Sequence, residues 1–168
     1  MERWNMLRAA VLTVSDRSSE GIRPDASGPA LVARINELSW QVVSVAVCPD
    51  DAESIAKQLV QWADNDVADL ILTTGGTGLA PRDVTPEATA NVVTRLIPGI
   101  AEAMRASSLL KTPHAMLSRA IAGVRGRSLI INLPGSPKGA LENLAAVAGA
   151  IEHAVSKIQG DPSDCAQT

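Results

Sequence analysis

Short apolar runs alternate with amphipathic stretches along nearly the whole chain, and that alternation most restricts the fold. The runs are Ala9 to Ser15, Trp40 to Val47, Asp69 to Thr74 and Leu129 to Pro134. Each is a few residues long, rich in branched side chains and bounded by Gly, Pro, Asp or Ser, the pattern of a buried strand. Between them the apolar positions fall at helical spacing. Leu31, Ile35 and Leu38 mark a helix from Pro29, with Ser27 near its start, and Ile55, Ala56, Leu59, Val60 and Ala63 mark a second. A third is expected with Thr85 as N-cap and Pro86 as first residue, running through Val92, Val93 and Leu96 until Pro98 and Gly99 stop it. A fourth covers Ile100 to Leu109. The last begins near Ser136 or Pro137 and carries Leu141, Leu144, Val147, Ile151, Val155 and Ile158 on one stripe. "IAGVRGRS" reads as turn residues between short apolar runs. The pattern predicts an α/β three-layer sandwich, a mostly parallel sheet with helices on both faces. Residues 1–160 are expected to form a single domain and 161–168 a disordered polar tail.

Composition narrows the partners. The chain of 168 residues has three Trp and neither Phe nor Tyr, so its core must be aliphatic and it lacks the rings that stack single-stranded bases. A formal charge of −3 supplies no broad basic field for nucleic acid or an anionic membrane. Arg119, Arg125 and Arg127 form a local basic group able to serve a small anion. The two cysteines, Cys48 and Cys165, are far apart and outside any metal-ligand spacing, as expected of a reduced cytoplasmic protein. Neither a signal peptide nor a membrane-length apolar stretch is expected.

In an open α/β sheet, ligands gather at the carboxyl ends of the strands. Four polar or glycine-rich loops follow the four runs: "SDRSSEG", "CPDD", "TTGGTGLAPRD" and "NLPGSPKG". A parallel sheet would bring all four to one edge. Gly75, Gly76 and Gly78 suit close approach of backbone N–H groups to a phosphate, with Thr74 and Thr77 adding hydroxyls, or they form a plain tight turn. The loop is neither a Walker loop nor a dinucleotide fingerprint. Asp83 precedes a helix, and Asp50 and Asp51 end a strand. Two carboxylates from separate loops suit Mg²⁺, while either Asp50 or Asp51 also suits a helix N-cap. Lys138, in the first turn of the last helix, opposes the helix dipole; it is either a phosphate contact or a solvated lysine. His114, His153 and both cysteines lack the partners that covalent catalysis needs.

The stretches "TVSDRSSEG", "PDD", "LILTTGGTGLAPRDVTPEAT" and "MLSRAIAGVRGRSLIINLPGSPKGALENL" together resemble the molybdopterin adenylyltransferase family of molybdenum cofactor biosynthesis. Its members include bacterial stand-alone proteins and the G domains of gephyrin and its plant counterpart. The resemblance implies a homotrimer that transfers AMP from Mg-ATP to the phosphate of molybdopterin, releasing pyrophosphate. The product then passes to a partner that inserts molybdate. It implies catalytic and metal-associated roles for Asp83 and Asp50, and a phosphate-binding role for Thr74, Gly75, Gly76, Thr77 and Gly78. Ser15, Asp16, Ser118, Arg119, and Asn132 through Lys138 (Pro134, Gly135 and Ser136 among them) are implied to line the same cleft. Two alternatives remain on the sequence: a non-catalytic molybdopterin-binding carrier or scaffold, and a structural trimer whose glycine loops are only turns.

Overall fold

The computed structural model describes residues 6–162; the end of the expected tail, 163–168, lies outside the described residues. Six strands form one sheet: β1 Arg8–Val14, β2 Gln41–Cys48, β3 Leu70–Thr74, β4 Arg95–Leu96, β5 Ala122–Arg125 and β6 Ser128–Leu133. Their spatial order is β2-β1-β3-β6-β5-β4. The first four in that order pair in parallel, whereas β5 runs antiparallel to both β6 and β4. The helices are α1 Asp16–Ser19, α2 Ser27–Glu37, α3 Ala52–Asp64, α4 Thr85–Val92, α5 Pro98–Leu109 and α6 Pro137–Ile158, with a 3-10 turn at Pro113–Leu117.

Two aliphatic cores lie on opposite faces of the sheet, which makes the three-layer sandwich. Leu70 and Leu72 point to the side covered by α2, α5 and α6, where Leu31, Ile35, Met104, Leu144 and Ile151 are buried. Ile71, between them, points to the side covered by α3 and α4, with Ile55, Leu59, Trp62 and Val92. The alternation follows from the two-residue period of a strand buried on both faces. Each such Leu or Ile contributes about 1.5–3 kcal/mol of burial.

The antiparallel end of the sheet departs from the expectation. "AGVR" is strand β5, joined to β6 by the two-residue turn Gly126–Arg127, with Gly126 at φ 56°. A glycine opening a two-residue turn between apolar runs is a hairpin signal. The third predicted helix is also shorter. It ends at Val92, and Arg95–Leu96 turn away to pair with β5. Pro98 and Gly99 do not stop a helix but start α5, where proline's missing N–H costs nothing.

Candidate functional site

The loops after β1, β2, β3 and β6 meet at the carboxyl edge of the parallel strands around a cleft of about 530 Å³. Ser15, Asp50, Thr74, Gly75, Gly76, Gly135 and Ser136 line it, as do Thr13, Ser18, Arg23, Asp25 and Ser27, none of which was expected there. Asp25 acts as a fastener. It accepts hydrogen bonds from the Thr13 hydroxyl (2.7 Å) and the Gly28 N–H (3.0 Å), capping α2 from one residue before its N-cap. Asp-x-Ser-Gly before a helical run is the signal that identifies such a cap.

The glycine loop passes between two carboxylates. Gly75 has φ 106° and Gly76 φ 67°, conformations that side chains resist. A Cβ on Gly75 would also strike the Val14 carbonyl oxygen, and one on Gly76 the Thr85 hydroxyl, with Asp50 Oδ1 at 3.4 Å. A Cβ on Gly78 would stand 2.8 Å from Asp83 Oδ2. The glycines therefore let neighbouring loops close in. The Gly75 N–H donates to the Leu133 carbonyl, and Thr74 Oγ1 donates to the Pro134 carbonyl at 2.7 Å. The N–H groups of Gly76, Thr77 and Gly78 donate to no protein acceptor among the described residues. Three such donors in sequence, starting at a left-handed residue, suit an anion.

Thr85 does not cap α4. Val84 holds the N-cap position without a side-chain bond, and Thr85, fully buried, donates its hydroxyl to the Gly75 carbonyl at 2.9 Å while its N–H bonds the Gly76 carbonyl. It anchors the glycine loop to the helix.

The Asp50 and Asp51 pair divides its work. Asp51 caps α3 by accepting the Ser54 N–H at 2.8 Å, and the Ser54 hydrogen bonds hold its carboxyl below the ordinary value. Asp50 turns into the cleft. Its Oδ2 accepts the Asp16 N–H (2.8 Å), while its own N–H donates to Asp16 Oδ1 (2.9 Å). Burial first, then the like charges of Asp16 and Asp83, push the Asp50 carboxyl up, against the Asp16 N–H and the Arg82 charge. Asp83 accepts the Ala80 N–H on Oδ2 at 2.9 Å. Neither Asp50 Oδ1 nor Asp83 Oδ1 accepts a protein hydrogen bond among the described residues. Two carboxylates that repel each other, each with an open oxygen, fit a hard dication sharing its other positions with water and phosphate. Among the described residues no cluster of three or more His, Cys, Asp or Glu forms a full protein cage. Cys48, buried before Pro49, has its thiol pushed up to about 12 by burial, then by Asp50 and Asp51, which leaves it unreactive.

Other expected residues sit behind the cleft. Arg119 donates to the Gly78 and Asp83 carbonyls (2.7 and 2.6 Å) and pairs with Glu87, so it staples the glycine loop from outside. Asn132 is fully buried, donating to Thr73 and Thr89 hydroxyls and accepting the Ile121 N–H. Ser118 accepts the Ala120 N–H on its hydroxyl and receives Arg105 on its carbonyl. Lys138 is exposed in the first turn of α6, whose N-cap Ser136 accepts the Gly139 N–H. Arg125 is committed to Asp64 and the Val92 carbonyl, so the expected basic group does not gather on one anion.

A protein-family model described as "Probable molybdopterin binding domain" matches residues 10–153. The chain belongs to that family. A Helicobacter pylori relative named molybdopterin adenylyltransferase is 44% identical over 157 residues, covering 92% of this chain and 89% of its own. The gephyrin of Dictyostelium discoideum is 51% identical over 171 residues, which is 96% of this chain but 23% of that protein. The crystal structure of the molybdopterin biosynthesis enzyme MoaB from Thermus thermophilus superposes with a TM-score of 0.87 at 50% identity, covering 95% of this chain and all of that one. The residues matched by the family model include all four loops that form the cleft.

Proposed function

We propose that the chain is a nucleotidyltransferase that moves AMP from ATP to the terminal phosphate of molybdopterin, giving adenylylated molybdopterin and pyrophosphate in molybdenum cofactor biosynthesis. The observation that carries the reading is a glycine loop with free N–H groups at Gly76, Thr77 and Gly78 set between two carboxylates with open oxygens: Gly76 and Asp50 line the cleft, and Asp83 lies against Gly78 outside that lining. In the transfer, a phosphate oxygen of molybdopterin attacks the α-phosphorus of ATP, and the bond from that phosphorus to the bridging oxygen of pyrophosphate breaks. A phosphate monoester is largely dianionic near neutral pH, so the nucleophile needs no base. That fits a site with neither histidine nor activated cysteine among its lining residues. The obstacle is repulsion between two polyanions, which positioning and charge neutralisation remove. Asp50 and Asp83 would hold Mg²⁺, which when bound supplies positive charge to phosphate oxygens. The glycine loop N–H groups and the N-terminus of α6 would receive phosphate. We place the enzyme in the cytoplasm as a homotrimer that hands its product to a molybdate-inserting partner.

The test is pyrophosphate release from ATP and molybdopterin in the presence of Mg²⁺. Turnover by the native chain, lowered roughly 10²–10³-fold in Asp83→Asn, supports the reading. Tight molybdopterin binding without pyrophosphate release would instead identify a carrier.

A further inference from the structure

We infer that Asp16 is a positioning residue that keeps Arg82 away from the open oxygen of Asp50, so that the cation site stays accessible. The inference rests on the proposed role of Asp50 and Asp83 in holding a divalent cation. Asp16 is not part of the cleft lining, yet it ties three of the four loops together. Its backbone N–H and its Oδ1 exchange hydrogen bonds with Asp50, closing a ring between the ends of β1 and β2. That ring occupies Oδ2 of Asp50 and leaves Oδ1 beside Gly76.

The same Asp16 carboxylate takes both arms of the Arg82 fork: Nε donates to Oδ2 at 2.5 Å and Nη2 to Oδ1 at 2.9 Å. Arg82 precedes Asp83 in the glycine loop and lies within electrostatic reach of Asp50 and Asp51. It makes no other hydrogen bond among the described residues. Of the carboxylates around it, only Asp16 engages the guanidinium in a bidentate pair. An exposed pair of this kind adds little to folding stability, so its consequence falls on which groups Arg82 can reach. With the Asp16 charge removed, the released guanidinium can turn to the remaining carboxylates whose charge it already feels, and Asp50 Oδ1 is open to it. A cation and Arg82 would then compete for one oxygen, because a carboxylate already paired with arginine is a poor ligand for a hard metal.

The experiment is Mn²⁺ binding, followed by electron paramagnetic resonance with α,β-methylene-ATP present so that no transfer occurs. The variants are Asp16→Asn, Arg82→Gln and the double variant. Asparagine keeps an acceptor for the Asp50 N–H, removes the charge and sets an amide NH2 where Oδ2 accepted Arg82 Nε, which releases the guanidinium. Asp16→Asn is expected to weaken Mn²⁺ binding at least about tenfold, a competition worth about 1.4 kcal/mol. Arg82→Gln in the same chain is expected to recover it to within about threefold of the native protein, a residual well under that tenfold step. A merely structural role for Asp16 would not be rescued by deleting its partner. Unchanged binding in Asp16→Asn, or a double variant no better than the single one, overturns the inference. Absence of Mn²⁺ binding by the native protein overturns it together with the cation site. The expected Mn²⁺ pattern without pyrophosphate release overturns the proposed reaction alone and supports the role of Asp16.

Discussion

Aspartate stands at both ends of the parallel strands, and the two ends treat it differently. At the amino end, Asp69 is buried and accepts four hydrogen bonds, from the Arg8 N–H, Nε and Nη2 and from Gln159 Nε2. Burial by itself would raise its carboxyl, but the Arg8 bonds outweigh it and hold the group below the ordinary value. At the carboxyl end, Asp50 and Asp83 accept one protein bond each, and burial with like charge pushes Asp50 up. A fully paired carboxylate fastens strands. A carboxylate left partly unpaired beside another keeps an oxygen open, the one that the proposed cation would take.

The largest expected effect breaks the functional end. Asp83→Asn should lower the rate of pyrophosphate release by roughly 10²–10³-fold, the scale of losing one preorganised electrostatic group, with the melting temperature within about 2 °C of native. The matching change at the other end should do the reverse. Asp69→Ala removes the acceptor of the Arg8 N–H, of its Nε and of Gln159, leaving the guanidinium with Asp66 alone, and should cost about 2 kcal/mol, below the range for fully buried pairs because the Arg8 side chain is 34% exposed. Calorimetry should show melting lowered by roughly 4–8 °C, with turnover at about 25 °C retained. Thr85→Val keeps the shape but leaves the Gly75 carbonyl without its hydroxyl donor, at about 1–3 kcal/mol. Because that carbonyl belongs to the glycine loop, both melting temperature and turnover should fall.

The smallest effect sharpens the contrast through its sign. Asp69 has a depressed folded-state pKa, so its contribution is full above the ordinary carboxylate value of 3.8 and is lost as pH falls through its folded value. Asp50 has a raised one, so its ionisation costs stability as pH rises from 3.8 through that value. Asp50→Asn should therefore melt higher than native near neutral pH, with the gain shrinking as pH falls towards the ordinary carboxylate value of 3.8. Asp69→Asn should show no gain near neutral pH and a flatter acid limb. Equal slopes in the two variants would erase the distinction between the two ends.

Much of the fold was legible because strands buried on both faces must be continuous apolar runs, and β1, β3 and β6 are such runs, while β2, at the sheet edge with Val45 and Val47 exposed, shows itself by its β-branched residues. β4 and β5 were hidden for the opposite reason. Two and four residues long, they contain too few side chains to express a period, and hairpin pairing with β6 makes them strands. Thr85 misled because threonine before proline fits a cap locally; burial beneath the glycine loop gave its hydroxyl a different acceptor. Asp25 and Thr13 escaped notice because their bond joins a strand to a loop twelve residues later, a pairing with no sequence period.

The amino-acid sequence by itself determined the alternating α/β architecture, the aliphatic core and the four polar loops at one sheet edge, since periodicity and turn chemistry are local. It also placed glycines where only glycine can stand. Which aspartate caps and which enters the cleft was decided by tertiary structure alone. Asp50 and Asp51 are adjacent and chemically identical, and only the approach of Asp16 from the connection after β1 and Ser54 from the next helix separates them. Arg119 likewise reads as an anion contact in one dimension, and becomes a staple once the carbonyls of Gly78 and Asp83 fold against it.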